Sequence, residues 1–163
     1  MSEPRVRLCF VCLGNICRSP TAEGVMRRLL ADAGLDAHVH VESAGTGDWH
    51  VGEPADRRSI AHAARRGVVL DRRAQHLTVA HFVRFDLFLV ADQSNLEAAR
   101  RLAPSPADRE KVVLLRSFDP NSPRAAEVPD PYYGGPEGFE EVLELCESAC
   151  DGLLAHLRAA HGL

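Results

Sequence analysis

At 163 residues and 45% hydrophobic composition, the chain fits one domain, residues 1–163, with a sizeable core. A net charge of −4 argues against nucleic acid or an anionic membrane as the main partner, and no apolar stretch reaches membrane-spanning length. The N-terminus lacks the pattern of a secretion signal, and five cysteines without a framework-like spacing suit a reducing compartment. The cytoplasm is therefore the expected location, with export without a signal peptide left open. The basic residues are almost all arginine, Lys111 being the only lysine, and most of the arginine doublets read as solvated faces.

In chain order, Val6 to Val11 reads as a buried strand ending at Cys12. A tight turn, Cys12-Leu13-Gly14-Asn15-Ile16-Cys17-Arg18-Ser19, leads into a helix expected from about Pro20 to Ala33. Gly34 stops that helix, and His38 to Glu42 is a short strand. A loop from Ser43 to Glu53 carries Trp49 and His50, and a second helix is expected from Pro54 to near Gly67. After an irregular stretch, Phe85 to Ala91 has the apolar run of a central parallel strand. A helix over Ser94–Leu102 is ended by Pro104 and Pro106, and Lys111 to Leu115 is another buried strand. Residues 116 to 135 are proline-rich and irregular, a length that inside a compact domain usually has a functional reason. The last helix spans about Pro136 to His161, with Phe139, Val142, Leu143, Cys146, Cys150, Leu153 and Leu157 on one face and a solvated acidic face opposite. The alternation predicts an α/β fold, an open parallel sheet of about four strands with helices on both faces. Ligands of such sheets bind beyond the carboxyl ends of the strands, where Cys12 falls.

The turn after the first strand has the chemistry of a phosphate-binding loop. A helix N-terminus offers N–H groups without partners and the positive end of the helix dipole. Gly14 and Asn15 tolerate the left-handed conformation that turns successive N–H groups inward. Arg18 adds a planar fork that matches two phosphate oxygens at once. The same field favours the thiolate of Cys12, the nucleophilic form of the side chain. Ser19 has two available roles: capping the helix ahead of Pro20, or donating to the Cys12 sulfur.

The run from Val11 to Glu23 closely resembles the N-terminal signature of the low-molecular-weight protein tyrosine phosphatases. Asp130-Pro131-Tyr132-Tyr133-Gly134 resembles that family's acid loop, and Ser43-Ala44-Gly45-Thr46 and Asp92-Gln93-Ser94-Asn95-Leu96 resemble two further landmarks. The resemblance implies hydrolysis of phosphotyrosine in proteins through a phosphocysteine. Cys12 would attack, Arg18 would bind phosphate with the loop Leu13, Gly14, Asn15, Ile16, Cys17 and Ser19, and Asp130 would be the general acid and then the base. It implies that Asn15 and Ser43 hold the loop in shape and that Leu13, Trp49, Tyr132 and Tyr133 wall a slot for a phenyl ring. It also implies a reversible disulfide between Cys12 and Cys17, and phosphorylation of Tyr132 or Tyr133 by a tyrosine kinase. No cofactor and no metal is expected. Local pattern alone reads Asp130 as the start of an Asp-Pro turn, and it gives Asp92 no role. A histidine of animal family members, near Arg72-Arg73-Ala74-Gln75-His76, has no counterpart here.

Three rival readings are weaker. Cys9-x-x-Cys12 and Cys146-x-x-x-Cys150 loosely resemble zinc spacing, but one pair sits in a strand and the other on an apolar helix face. His38 and His40, on one face of a short strand, read as surface residues. A thiol-dependent arsenate reductase would need extra redox cysteines near the middle, and none occurs between Cys17 and Cys146. A phosphotyrosine-binding module without activity would not need both Cys12 and Asp130.

Overall fold

In the computed structural model, which describes residues 3–163, four parallel strands form one sheet in the order β2-β1-β3-β4. The strands are β1 (Val6–Cys12), β2 (Val39–Gly45), β3 (Leu87–Val90) and β4 (Val112–Leu114). The helices are α1 (Arg18–Asp32), α2 (Arg57–Arg65), α3 (His81–Arg84), α4 (Gln93–Leu102), α5 (Pro106–Glu110) and α6 (Pro136–His161). The chain leaves β1 toward β2 and then returns to lay β3 on the other side of β1. That reversal makes the carboxyl end of β1 a topological switch point, where open parallel sheets place ligands.

Strand alternation splits the core into two layers. Leu8, Phe10, Val41 and Leu89 join Met26 and Leu30 of α1 and Leu143, Leu153 and Leu157 of α6 on one face. Cys9, Val11, Phe88 and Val90 join Phe82, Phe85, Leu96 and Ala99 on the other. The sheet therefore carries helices on both faces, as expected for strands that are apolar on each side. The α6 boundaries match the sequence reading, because Pro136 sits at the first turn and Gly162 ends the helix at φ 64°.

Other boundaries differ for local reasons. Helix α1 begins at Arg18 rather than Pro20, with Cys17 at the N-cap position, so Ser19 lies inside the first turn and does not cap the helix. Helix α2 begins at Arg57 rather than Pro54, because Asp56 caps it by accepting from the Arg58 N–H. Pro106 opens α5 instead of breaking structure, with Ser105 as its cap. Phe85 terminates the short α3, so β3 starts only at Leu87, and His38 precedes β2. A 3₁₀ turn, Leu115–Phe118, follows β4 in the segment expected to be irregular. The acidic face of α6 is not wholly solvated: Glu140 and Glu147 pair with Arg66 at 2.9 and 2.8 Å, tying α2 to α6.

Gly152 lets α6 approach that 3₁₀ turn. A Cβ at position 152 would lie 1.8 Å from the Phe118 carbonyl oxygen. Alanine favours a helix over glycine by about 1 kcal/mol, but a backbone atom at that distance cannot step aside as a side chain would. Gly152→Ala is therefore expected to lose about 1–3 kcal/mol in spite of its better propensity. Urea unfolding measures this, and a stabilised variant would refute the close packing.

Candidate active site

The register of β1 and β2 builds the site's floor. Cys12 pairs with Gly45 and Phe10 with Ser43, which sets Ser43 beside the loop that leaves β1. The carbonyls of Cys12 and Leu13 accept from the N–H groups of Thr46 and Gly47, and that of Ile16 accepts from Asp56. Those carbonyls are thus turned outward. Among the described residues, none accepts a hydrogen bond from the backbone N–H groups of Leu13, Gly14, Asn15, Ile16 or Cys17. Together with the first turn of α1, these donors form a nest for an anion. Gly45 makes room for it, since a Cβ there would stand 2.8 Å from the Leu13 carbonyl oxygen.

Asn15 fixes the loop from below. It adopts φ 57°, one of the few left-handed non-glycine residues, and is almost wholly buried. Its Oδ1 accepts from the Gln75 N–H at 2.9 Å, and its Nδ2 donates to Ser43 at 3.0 Å and to Ser19 at 2.8 Å. Because the Ser19 oxygen already accepts from Asn15, its proton is free for the Cys12 Sγ, 2.9 Å away. Ser43 in turn donates to Glu23 at 2.5 Å. Burial pushes the Glu23 carboxyl above its ordinary range, opposed by Ser43, Arg27 and Arg72.

Arg18 is buried and held on two sides. One guanidinium nitrogen donates to Asp92 at 2.6 Å and to the Val128 carbonyl at 3.1 Å, while Nη2 stands 3.7 Å from Asp130. Burial works against its charge, but Cys12, Asp92 and Asp130 outweigh it and hold Arg18 above its ordinary value. Asp92, to which local pattern gave no role, has two partners here. One oxygen caps α4 through the Asn95 N–H, and the other orients Arg18. Its Asp-Gln-Ser-Asn context before a helix was a readable cap signal, but nothing local pointed to Arg18.

A cavity of about 320 Å³ lies over the loop. Cys12, Leu13, Gly14, Ile16, Cys17 and Arg18 form its base, and Trp49, Asp130, Tyr132 and Tyr133 its rim. Asn15, Ser19 and Ser43 lie beneath it rather than in its lining. His50, given no role from sequence, also lines it and pairs with Glu53. Trp49 and Tyr133 are 68% and 95% exposed, Tyr132 less so, so the rim is aromatic and open to a large substrate. The Asp130 carboxylate is half-exposed and accepts from the Tyr132 N–H at 3.0 Å. The chain returns to the site because the Val128 N–H bonds the Ala91 carbonyl at the end of β3. Burial pushes the Cys17 and Cys146 thiols up to about 12, and Cys9 and Cys150 also rise.

A thiol at the base of an anion nest, a guanidinium beside it and a carboxylate at the rim define a site for cysteine-dependent chemistry on a phosphate ester. Residues 7–162 match the family model of the low molecular weight phosphotyrosine protein phosphatases, and the chain belongs to that family. A low molecular weight protein-tyrosine-phosphatase of Streptomyces coelicolor is 53% identical, with 93% of each chain covered. The low molecular weight protein-tyrosine phosphatase A of Mycobacterium tuberculosis is 44% identical over 94% of this chain and 91% of its own. The crystal structure of a protein tyrosine phosphatase from Entamoeba histolytica superposes with a TM-score of 0.91 at 35% identity, covering 95% of this chain and 98% of that one.

The Asn15 network yields a test that separates backbone from side chain. Asn15→Ala keeps a Cβ in the left-handed turn but removes the amide and strands several buried groups, an expected loss of about 2–4 kcal/mol. Asn15→Gly should recover roughly 1 kcal/mol of that by relieving the backbone. Neither should recover turnover of an aryl phosphate, expected to fall at least about 100-fold as the three side-chain hydrogen bonds that shape the loop are lost. Activity rescued by glycine would show that conformation alone shapes the loop.

Proposed function

We propose that residues 1–163 form a single phosphatase domain that hydrolyses phosphotyrosine in proteins, with Cys12 as nucleophile and Asp130 as acid and base. One observation carries this reading: Ser19 holds the Cys12 sulfur at 2.9 Å, at the base of the cavity whose walls include Arg18 and Asp130. The phosphate dianion enters the nest and takes the free edge of the Arg18 guanidinium. The thiolate attacks phosphorus, the S–P bond forms and the P–O bond to the phenol breaks as Asp130 gives the oxygen its proton. In the second step water yields a proton to Asp130 and its oxygen attacks phosphorus. The S–P bond breaks and inorganic phosphate leaves, with Ser19 stabilising the departing thiolate. Arg18 and the loop amides meet the charge on the equatorial oxygens, so the steps call on no metal or cofactor.

The rim supports the choice of substrate. Leu13, Trp49, Tyr132 and Tyr133 offer apolar walls for a phenyl ring, and a ring carries its phosphate deeper than a serine side chain can. We place the enzyme in the cytoplasm: its five cysteines are unpaired, and among the described residues no helix is long and apolar enough to cross a membrane. A tyrosine kinase has ready access to Tyr133, the most exposed aromatic of the rim, and Tyr132 is the second acceptor. Cys17 suits a protective role. Peroxide would oxidise Cys12 to a sulfenic acid, and the Cys17 sulfur would displace its oxygen as water to leave a reducible disulfide.

Cys12→Ser is expected to abolish hydrolysis of p-nitrophenyl phosphate, and wild-type turnover should be insensitive to chelators. Asp130→Asn should slow phenyl phosphate far more than p-nitrophenyl phosphate, because only the poor leaving group needs the proton. Residual activity in Cys12→Ser would overturn the nucleophile assignment. After mild peroxide, thiol trapping should find Cys12 and Cys17 bonded, and Cys17→Ser should no longer recover activity on reduction.

A further inference from the structure

The carboxylate at the rim has a half-exposed side chain on an irregular loop, so its aim depends on what holds that loop. Upstream it is held by Val128, bonded to the end of β3 and to Arg18. Downstream, the Tyr132 N–H reaches back to the Asp130 carboxylate at 3.0 Å, and the Tyr132 ring leans on a residue outside the loop. That residue is Arg58, in the first turn of α2. Its Cζ lies 5.3 Å from the centre of the Tyr132 ring and 4.7 Å from that of Phe139, so the guanidinium bridges the acid loop and the start of α6. Asp56 grips it with both oxygens, at 3.1 Å to Nε and 3.0 Å to Nη2. The Asp56 N–H in turn donates to the Ile16 carbonyl of the phosphate loop at 2.8 Å.

We propose that Arg58 is a positioning residue for the reaction: through Tyr132 it aims the Asp130 carboxylate, and through Asp56 it registers that aim against the phosphate loop. The inference rests on the reading of Asp130 as the general acid. A rigid, planar cation suits the task, since it pairs edge-on with a carboxylate while its faces remain open to aromatic rings. A loop braced in this way has less freedom to lose during the reaction. Arg58 itself is committed to Asp56 and the two rings and does not line the cavity.

The test compares aryl phosphates of different leaving-group quality. Arg58→Ala is expected to lower kcat/KM for phenyl phosphate roughly threefold to tenfold, the scale a single cation–π contact supports, with little change for p-nitrophenyl phosphate. In an Asp130→Asn background the same substitution should have no further effect, since the group it aims has gone. Because loss of Arg58 also weakens the start of α2, Arg58→Lys serves as a second route: it keeps a cation beside Asp56 and the Arg58 backbone N–H that Asp56 caps, but loses the planar faces against Tyr132 and Phe139, and it should reproduce the leaving-group selectivity. Equal losses on both substrates, or an undiminished effect in the Asp130→Asn background, would overturn the proposal. The two readings fail separately: if Asp130→Asn shows no leaving-group selectivity the acid assignment falls, and if it does while Arg58→Ala does not, only the role of Arg58 falls.

Discussion

The site depends on a single buried amide. The Asn15 side chain meets three neighbours that are far apart in sequence, Ser19, Ser43 and the backbone of Gln75, and each occupies a different part of its donor and acceptor set. A left-handed non-glycine residue costs on the order of 1–2 kcal/mol, and a buried unpaired amide costs more. The two costs are offset together, because the conformation that strains the backbone is the one that lets the side chain reach all three partners. Glycine would relax the turn and lose the partners. Most other residues would neither relax the turn nor keep the partners. The loop is consequently shaped from beneath, by groups that do not line the cavity, and its upper surface is left with unpaired N–H donors for an anion.

The same network settles the direction of a proton. Asn15 donates to both serines, so each serine must point its own hydroxyl elsewhere. Ser43 turns to Glu23 and Ser19 turns to the Cys12 sulfur. A buried carboxylate at one end and a sulfur at the other are the acceptors that close the chain. Glu23 is costly to bury, and Arg27 at 2.8 Å offsets part of that cost. Replacing the carboxylate by an apolar group would leave the Ser43 proton without its acceptor, since the amide nitrogen of Asn15 can only donate.

How much of this was readable along the chain varies with range. Long elements with strong periodicity were legible: α6 was bounded correctly because its apolar face repeats over seven turns and Pro136 and Gly162 mark both ends. The four strands and their parallel sheet followed from apolar runs alternating with helices. The short helices α3 and α5 were not legible, since four or five residues carry too little periodicity, and Pro106 can start a helix as readily as stop one. At the site, the residues from Cys12 to Ser19 are contiguous and were read as one unit. All of them except Asn15 and Ser19 line one cavity with Trp49, Asp130, Tyr132 and Tyr133, although the pattern about Asp130 taken alone is that of an ordinary turn. What no local pattern could supply were the cross-links: Asp92 to Arg18, Gln75 to Asn15, and Arg58 to Tyr132.

Those cross-links explain how an irregular segment can hold Asp130 at the rim. A carboxylate on a helix or strand would be aimed by regular backbone geometry, but it would also be fixed relative to the element and not to the phosphate loop. From Val128 to Tyr132 the chain instead takes its position from the site itself. The Arg18 guanidinium donates to the Val128 carbonyl, so the buried cation beside Cys12 also fixes the backbone that leads to Asp130. Pro129 and Pro131 restrict the backbone on either side of Asp130, and Arg58 braces the far side. Irregular backbone stiffened by prolines and pinned at both ends reaches over the cavity rim without burying unpaired amides, and it leaves Tyr133 exposed where a protein substrate must land. The segment carrying Asp130 is thus tied to the phosphate loop from both ends, through Arg18 on one side and through Arg58 and Asp56 on the other.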